Sequence, residues 1–506
     1  MSSPPGAGQP PSSPGQAAPK KPARLGLILG LLVTAQFIVV LDFSIVQIAL
    51  PTIQKQIDMP LSDLQWIVGA YGLTFAGLLM LSGRASDIYG RKNLFILGLA
   101  IFSISSLTGG LAIDETTLIV SRAAQGVGAA LASAAGLALI VTTFAPLGRL
   151  NWALGIFTAV SSAGFTAGVV LGGVITNALG WRWVFFVNVP IGILAAIIAM
   201  SALPVGIRAK GKHLDVPGAL TITAGLMLLV YALTNLGSGD LSLRTVGFFG
   251  AAIVVLGGFV FVEHRSKGPL VPLSFISRGA IFWPNAIALL VFAANTSMVF
   301  VMTIYLQDVR GYSSLDAGLA LVPPAVVYFV LGGFVAPRLV KRVGARRMLI
   351  AAMLCLVLGL LLLSRISLTS DYTTDLLGPL LIAAVGGSLT FTGTSIAALG
   401  GAKPGEEGIA SGLVNTSRQV GGPIGLAVIV VVIDLVTNGL GANAAPASLV
   451  SGFRDALEAA SAFAAIGAVL ALKVSSGGGH PVASSSTSGP RQPGPGPSGG
   501  PPVVTE

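Results

Sequence analysis

The chain has 506 residues, of which 53% are hydrophobic and only 9% charged, with a mean hydropathy of +0.86. Soluble domains are about a quarter charged, so this composition excludes an ordinary soluble protein and points to an integral membrane protein. The single cysteine, Cys355, lies in an apolar stretch, and His213, His264 and His480 show no ligand spacing. A disulfide framework and a metal centre are therefore excluded from the expected chemistry, and no cofactor is expected.

In chain order, residues 1–24 are rich in Pro, Gly, Ser and Ala without apolar periodicity, which predicts a disordered N-terminus. Apolar runs of about 20 residues, the length that crosses a bilayer, follow at 25–50, 63–82, 93–113, 117–141, 152–176, 183–203, 217–237, 245–263, 281–306, 315–337, 348–366, 375–399, 408–434 and 452–472. This predicts an all-α membrane fold of fourteen spans. Residues 473–506 form a second disordered, Gly/Pro/Ser-rich tail. Of the 29 Lys and Arg, twenty-one fall in the termini and alternate loops on one side and six on the other, with Arg122 and Arg418 left inside spans. By the positive-inside rule both termini are cytoplasmic. The net charge of +10 thus reflects topology, and no folded soluble segment is present to bind nucleic acid.

Two loops repeat. GRASDIYGRKN (83–93) follows span 2 and PRLVKRVGARR (337–347) follows span 10, with Gly90 set against Gly344 and a basic cluster after each. The first six and last six spans are then related halves, 25–203 and 265–472, with spans 7 and 8 (204–264) inserted between them. Related halves around a midplane site are the architecture of alternating-access transporters.

Seven motifs follow in order: LDFSIVQIALP (41–51), GRASDIYGRKN, SRAAQGVGAA (121–130), GFTAGVVLGG (164–173), GWRWVFFVNVPIG (180–192), YLQDVRGYSSLDAGLALVP (305–323) and SGLVNTSRQVGGPIG (411–425). On these the chain resembles the fourteen-span drug:proton antiporters of the major facilitator superfamily, EmrB/QacA type, over residues 25–472. The resemblance implies a monomeric efflux antiporter in the bacterial inner membrane. It would exchange lipophilic, cationic drugs or antibiotics for protons. A proton-coupled uptake permease of the same superfamily is the alternative. A membrane enzyme or sensor would require a catalytic cluster or an output domain. The chain has no G-x-x-x-x-G-K-[ST] sequence, so a proton gradient rather than ATP is the expected driving force.

Individual residues then acquire expected roles. Asp42 lies inside span 1, and an ionisable group in a span marks function by default. Helical rise places Arg122 of span 4 in the same outer layer. Burial penalises the Asp42 charge while Arg122 favours it, so the pair is read as the proton-coupling site. Gln125, three residues after Arg122, joins the cluster. Asp42, Gln36, Gln47, Gln125, Asn295, Asn415 and Gln419 are candidate substrate contacts, with Thr296 a further pocket polar. Gly83, Asp87, Gly90, Arg91 and Lys92 form an expected conformational latch. In it the two glycines allow a tight turn and Asp87 caps span 13. Gly164, Gly168, Gly172 and Gly173 form a stripe that lets a second helix approach span 5 closely. The resembling antiporters carry a proline where this chain has Val169. Arg418 must face the bundle interior, either in a packing cluster that supports the latch or in substrate contact. Trp181, Trp183 and Tyr305 read as interfacial anchors, and Asp434 as a carboxylate at the water interface.

Overall fold

The structure is a computed structural model that describes residues 22–204, 214–237, 242–266, 269–270, 272–403, 406–437 and 444–474. The expected disordered tails, apart from residues 22–24 and 473–474, lie outside the described residues, as do the basic residues Arg208, Lys210, Lys212 and Lys267.

Every long element is helical. The helices are α1 Pro22–Ile57, α2 Leu61–Tyr89, α3 Arg91–Gly110, α4 Glu115–Phe144 and α5 Leu150–Leu179. Next come α6 Trp183–Ala202, α7 Val216–Gly237, α8 Leu243–Arg265, α9 Gly279–Val309 and α10 Ser314–Val343. The last four are α11 Ala345–Leu363, α12 Tyr372–Gly400, α13 Glu407–Val436 and α14 Pro446–Ala471. Among the described residues, 13 helices are long and apolar enough to cross a membrane. The last predicted span, α14, is set apart by Arg454, Asp455 and Glu458 in its first half. Arg454 Nε donates to the Ile366 carbonyl (2.5 Å) and Glu458 accepts from Ser364 (3.4 Å), which ties these charges to the end of α11.

Small residues set the packing. A Cβ at Gly168 or Gly172 would stand 2.7 Å from the Leu41 carbonyl oxygen or 2.8 Å from that of Ile45, so α5 lies backbone to backbone on α1. A Cβ at Gly98 would meet the Ala132 amide nitrogen on α4 at 2.5 Å. The same two contacts recur later in the chain: Gly421 and Gly425 of α13 press on Leu289 and Ala293 of α9, and Gly359 of α11 meets Ala383 of α12. Without these small residues the helices would stand further apart, because close van der Waals packing is a main force joining helices in lipid. Gly90 (φ 96) and Gly344 (φ 85) end α2 and α10 in the same left-handed geometry, which side-chain-bearing residues rarely adopt.

The two sets of helices meet along α2 with α13 and α5 with α10. Pro423 packs on Gly69 and Gly72, and Gly318 stands against Val169 and Gly173. The α7–α8 pair leans on α2 through Thr223 beside Gly77, the Trp66–Tyr231 ring pair, and Gln65, which donates to Thr234 at 2.8 Å. Where α1 ends, the halves are also tied by polar contacts. Gln307 Nε2 donates to the Ile48 carbonyl (2.9 Å), the Thr52 and Ser314 hydroxyls lie 3.3 Å apart, and Lys55 pairs with Asp308 (2.7 Å).

Several expectations change. Span 1 does not stop before Pro51: α1 continues to Ile57. Proline has no N–H for the Gln47 carbonyl, but the neighbouring turn is held from outside by Gln307. Gly83 makes no turn, because α2 stays helical to Tyr89 and Gly90 alone supplies the positive φ. Trp181 and Tyr305 are fully buried. Their polar tips are used internally, the indole donating to Gln56 (2.8 Å) and the phenol to the Ser367 carbonyl (2.6 Å), so neither is an interfacial anchor. Trp183, in contrast, is 48% exposed. Asp434 is only 4% exposed, because α13 runs on past it to Val436.

Substitution at the α1–α5 contact tests this packing. Gly172→Val should destabilise the purified protein by about 1–3 kcal/mol through overpacking, read as a lower Tm in detergent. Gly83→Ala, with nothing within 4 Å of the new methyl, should leave Tm unchanged or raise it.

Candidate functional site

The polar centre of the first half is built on four long helices, α1 to α4, and the first part of α6. Asp114 caps α4 by accepting from the Thr117 amide (2.8 Å) and hydroxyl (2.9 Å), bonds that hold its carboxyl below the usual range. Arg122 lies two turns further along α4, and α1 brings Asp42 opposite it. Both side chains are wholly buried, with Arg122 Nη1 2.5 Å from Asp42 Oδ2.

Other polar groups gather closely around the pair. Gln125 Nε2 (2.8 Å) and Asn188 Nδ2 (2.7 Å) both donate to Asp42 Oδ1. Gln125 also donates to Ser106 (2.6 Å) and accepts from Arg122 Nη1 (2.6 Å). Arg122 Nε donates to the Ile67 carbonyl of α2 (2.8 Å), and the guanidinium lies over the Tyr71 ring at 4.4 Å. Two atoms at this centre have no partner among the described residues, Arg122 Nη2 and Asn188 Oδ1.

This arrangement makes the Asp42 charge a structural variable. Ionised, the carboxylate compensates a buried guanidinium and gathers α1, α4 and α6. Protonated, it leaves Arg122 with neutral acceptors only, a costly state in a water-free interior. A proton at this one atom therefore changes the stability of the whole helix cluster. Asp42 has no open face here, so the expected contact with a cationic cargo has no access in this arrangement.

The other predicted residues fall into separate places. Gln47 is buried and donates to the Phe43 carbonyl (3.3 Å), while its own Oε1 and that of Gln36 have no partner among the described residues. Asn295 donates to the Val291 carbonyl (3.0 Å), beside Gly387 and Tyr328. Asn415 is exposed and Gln419 half-buried, whereas Arg418 between them is 6% exposed and bonded to α12. In the expected latch, Asp87 accepts from Arg91 (2.9 Å) and Lys92 donates to the Met200 carbonyl (2.6 Å). Sequence reasoning missed Asn188, Ser106 and Tyr71. Asn188 stood inside a motif quoted above, and its signal was simply an amide within an apolar span.

A family model described as Major Facilitator Superfamily matches residues 32–426. The chain is 38% identical over 466 residues to the cephamycin export protein CmcT of Amycolatopsis lactamdurans, covering 91% of this chain and 94% of that one. It is 34% identical over 460 residues to the puromycin resistance protein pur8 of Streptomyces alboniger, covering 88% and 89%. Among solved structures, a bacterial homolog of the human lysosomal transporter Spinster, inward-facing and unoccupied, aligns with a TM-score of 0.65 at 17% identity, covering 90% of this chain and 98% of that one. That likeness concerns the fold alone.

The ion pair can be tested by a double-mutant cycle. Asp42→Asn, which strands Arg122, should cost about 3–5 kcal/mol. Adding Arg122→Gln should recover part of that loss, measured as Tm in detergent. Strict additivity of the two losses would mean that the side chains do not interact.

Proposed function

Because the chain belongs to the Major Facilitator Superfamily, a family of transporters rather than enzymes, we propose that it exports lipophilic antibiotic-like molecules in exchange for protons. The observation that carries the proton coupling is the fully buried Asp42–Arg122 pair, whose packing depends on one carboxylate's charge. The relatives' names, cephamycin export and puromycin resistance, support the direction and class of cargo. The subtype is the fourteen-span one, α14 being the last span. The organisation is that of 25–203 and 265–472 as moving halves, with 204–264 as an inserted pair. The chain acts as a monomer in the bacterial inner membrane with both termini cytoplasmic.

With that orientation, the tied ends of α1 and α9 lie outside. Empty and with Asp42 ionised, the protein is locked, because the ion pair and the outer contacts share α1. Either a proton on Asp42 or bound cargo releases it, which is the rule an antiporter needs to avoid leaking protons. Gln36, Gln47, Asn295 and Gln419 line the cargo's route. Gly90, Asp87, Arg91 and Lys92 form a cytoplasmic hinge, and the Gly164–Gly168 stripe gives α1 and α5 a smooth contact.

Reconstituted vesicles test this reading. Wild type should release protons when antibiotic is added against a pH gradient, and Asp42→Asn should insert normally yet lose coupled efflux by tenfold or more. Unchanged pH-dependent efflux in that variant would remove Asp42 from the mechanism. Expression in a sensitive bacterium should lower drug accumulation, whereas an uptake permease would raise it.

A further inference from the structure

The second half contains a buried cation that forms no ion pair among the described residues. The Arg418 guanidinium of α13 lies over Phe391, 3.8 Å from the ring centre. Its Nη2 donates to the Phe391 carbonyl (2.5 Å), Ser395 Oγ (2.6 Å) and Thr394 Oγ1 (3.2 Å), all on α12 and all neutral. Nε is buried without an acceptor among the described residues. Arg122 is buried just as deeply, but Asp42 compensates it. None of the ion pairs among the described residues includes Arg418. An uncompensated charge in a water-poor interior is expensive, and an intramembrane cation without a partner points to a counter-ion from outside the chain.

The surroundings describe that counter-ion's remaining structure. The Phe391 ring meets Phe292 of α9 (5.9 Å) and Tyr328 of α10 (6.1 Å). Tyr328 in turn meets Phe165 of α5 (6.4 Å), across the seam between the halves. One guanidinium with an unused N–H therefore sits on the first ring of an aromatic chain, Phe391–Tyr328–Phe165, that leads across the seam. A charged fork beside an apolar, aromatic wall suits an amphipathic anion, the fork taking the carboxylate and the rings its apolar body.

We propose that Arg418 and these rings form the cargo site for a lipophilic organic anion, whose carboxylate is the counter-charge that Arg418 does not find among the described residues. The proposal rests on the export reading and specifies its substrate class. Cargo binding on Arg418 also touches Tyr328 and, through it, Phe165, so occupancy is felt at the α5–α10 seam where the halves slide.

The test uses the full-length protein in liposomes under a pH gradient. The probes are matched pairs of aromatic compounds, each as a carboxylic acid and as its primary amide, together with a lipophilic quaternary ammonium cation. Wild type should transport the acids about tenfold or more faster than the amides, the advantage expected of a hydrogen bond to a charged group. Arg418→Gln should bring the acids down to the level of the amides. Arg418→Lys should restore part of the difference, a point charge replacing a planar fork. Should the glutamine variant fail to fold, an unchanged acid-to-amide ratio in the lysine variant counts against the site. Amides or the ammonium cation carried as well as the acids by wild type, or an acid preference that survives Arg418→Gln, overturns the anion site and leaves export intact. Failure of wild type to move any probe with the gradient takes down the export reading, and the anion site with it.

Discussion

A carboxylate and a guanidinium with no exposed surface, 2.5 Å apart, hold the first half of this molecule in one arrangement. Removing two such ions from water costs several kcal/mol each, and their mutual attraction offsets this only when other polar groups satisfy them. Here Gln125, Asn188, the Ile67 carbonyl and the Tyr71 ring do so, drawing on α2, α4 and α6 around α1. The pair is thus a poor device for stability alone and a good one for sensitivity, since one proton upsets all of these contacts together.

Its reach depends on α1 being a single rigid helix. Asp42 is six residues from Ile48, about 9 Å along the axis, and thirteen from Lys55, about 20 Å. Those two residues carry the contacts to Gln307 and Asp308 of the other half. The Lys55–Asp308 pair is exposed on its lysine side and contributes little alone, whereas the Gln307 bond to Ile48 is buried. Movement of α1 at Asp42 therefore reaches the inter-half contact directly. The two halves share their glycine-mediated packing but differ in charge: among the described residues Arg122 is paired with an acid, and Arg418 is bonded to neutral groups only.

Much of this was legible in the residues themselves. Asp42, Arg122 and Gln125 stood out because charged or amide groups in an apolar run need one another, and helical rise set Asp42 and Arg122 at similar depth. The glycine stripe and the Gly90/Gly344 correspondence were equally visible, being backbone properties written directly in residue type. What stayed hidden was tertiary. Nothing local in Trp181 or Tyr305 tells a membrane-surface ring from one folded inward onto Gln56 or Ser367. Pro51 looked like a stop because the bonding of its turn to Gln307 comes from 256 residues away. In α6 Asn188 turns inward onto Asp42, and no periodicity predicted that. Arg418 was visible as a buried charge, but its lack of an acid partner among the described residues depends on all of the neighbouring helices at once.

The most direct test of the link between Asp42 and the closed outer contact is a distance measurement between spin labels at the ends of α1 and α9, in a background lacking Cys355, as a function of pH. The account predicts one short distance at high pH and a second, longer population as pH falls in wild type, with the longer population present at every pH in Asp42→Asn. A distance distribution that titrates identically in both proteins would contradict it.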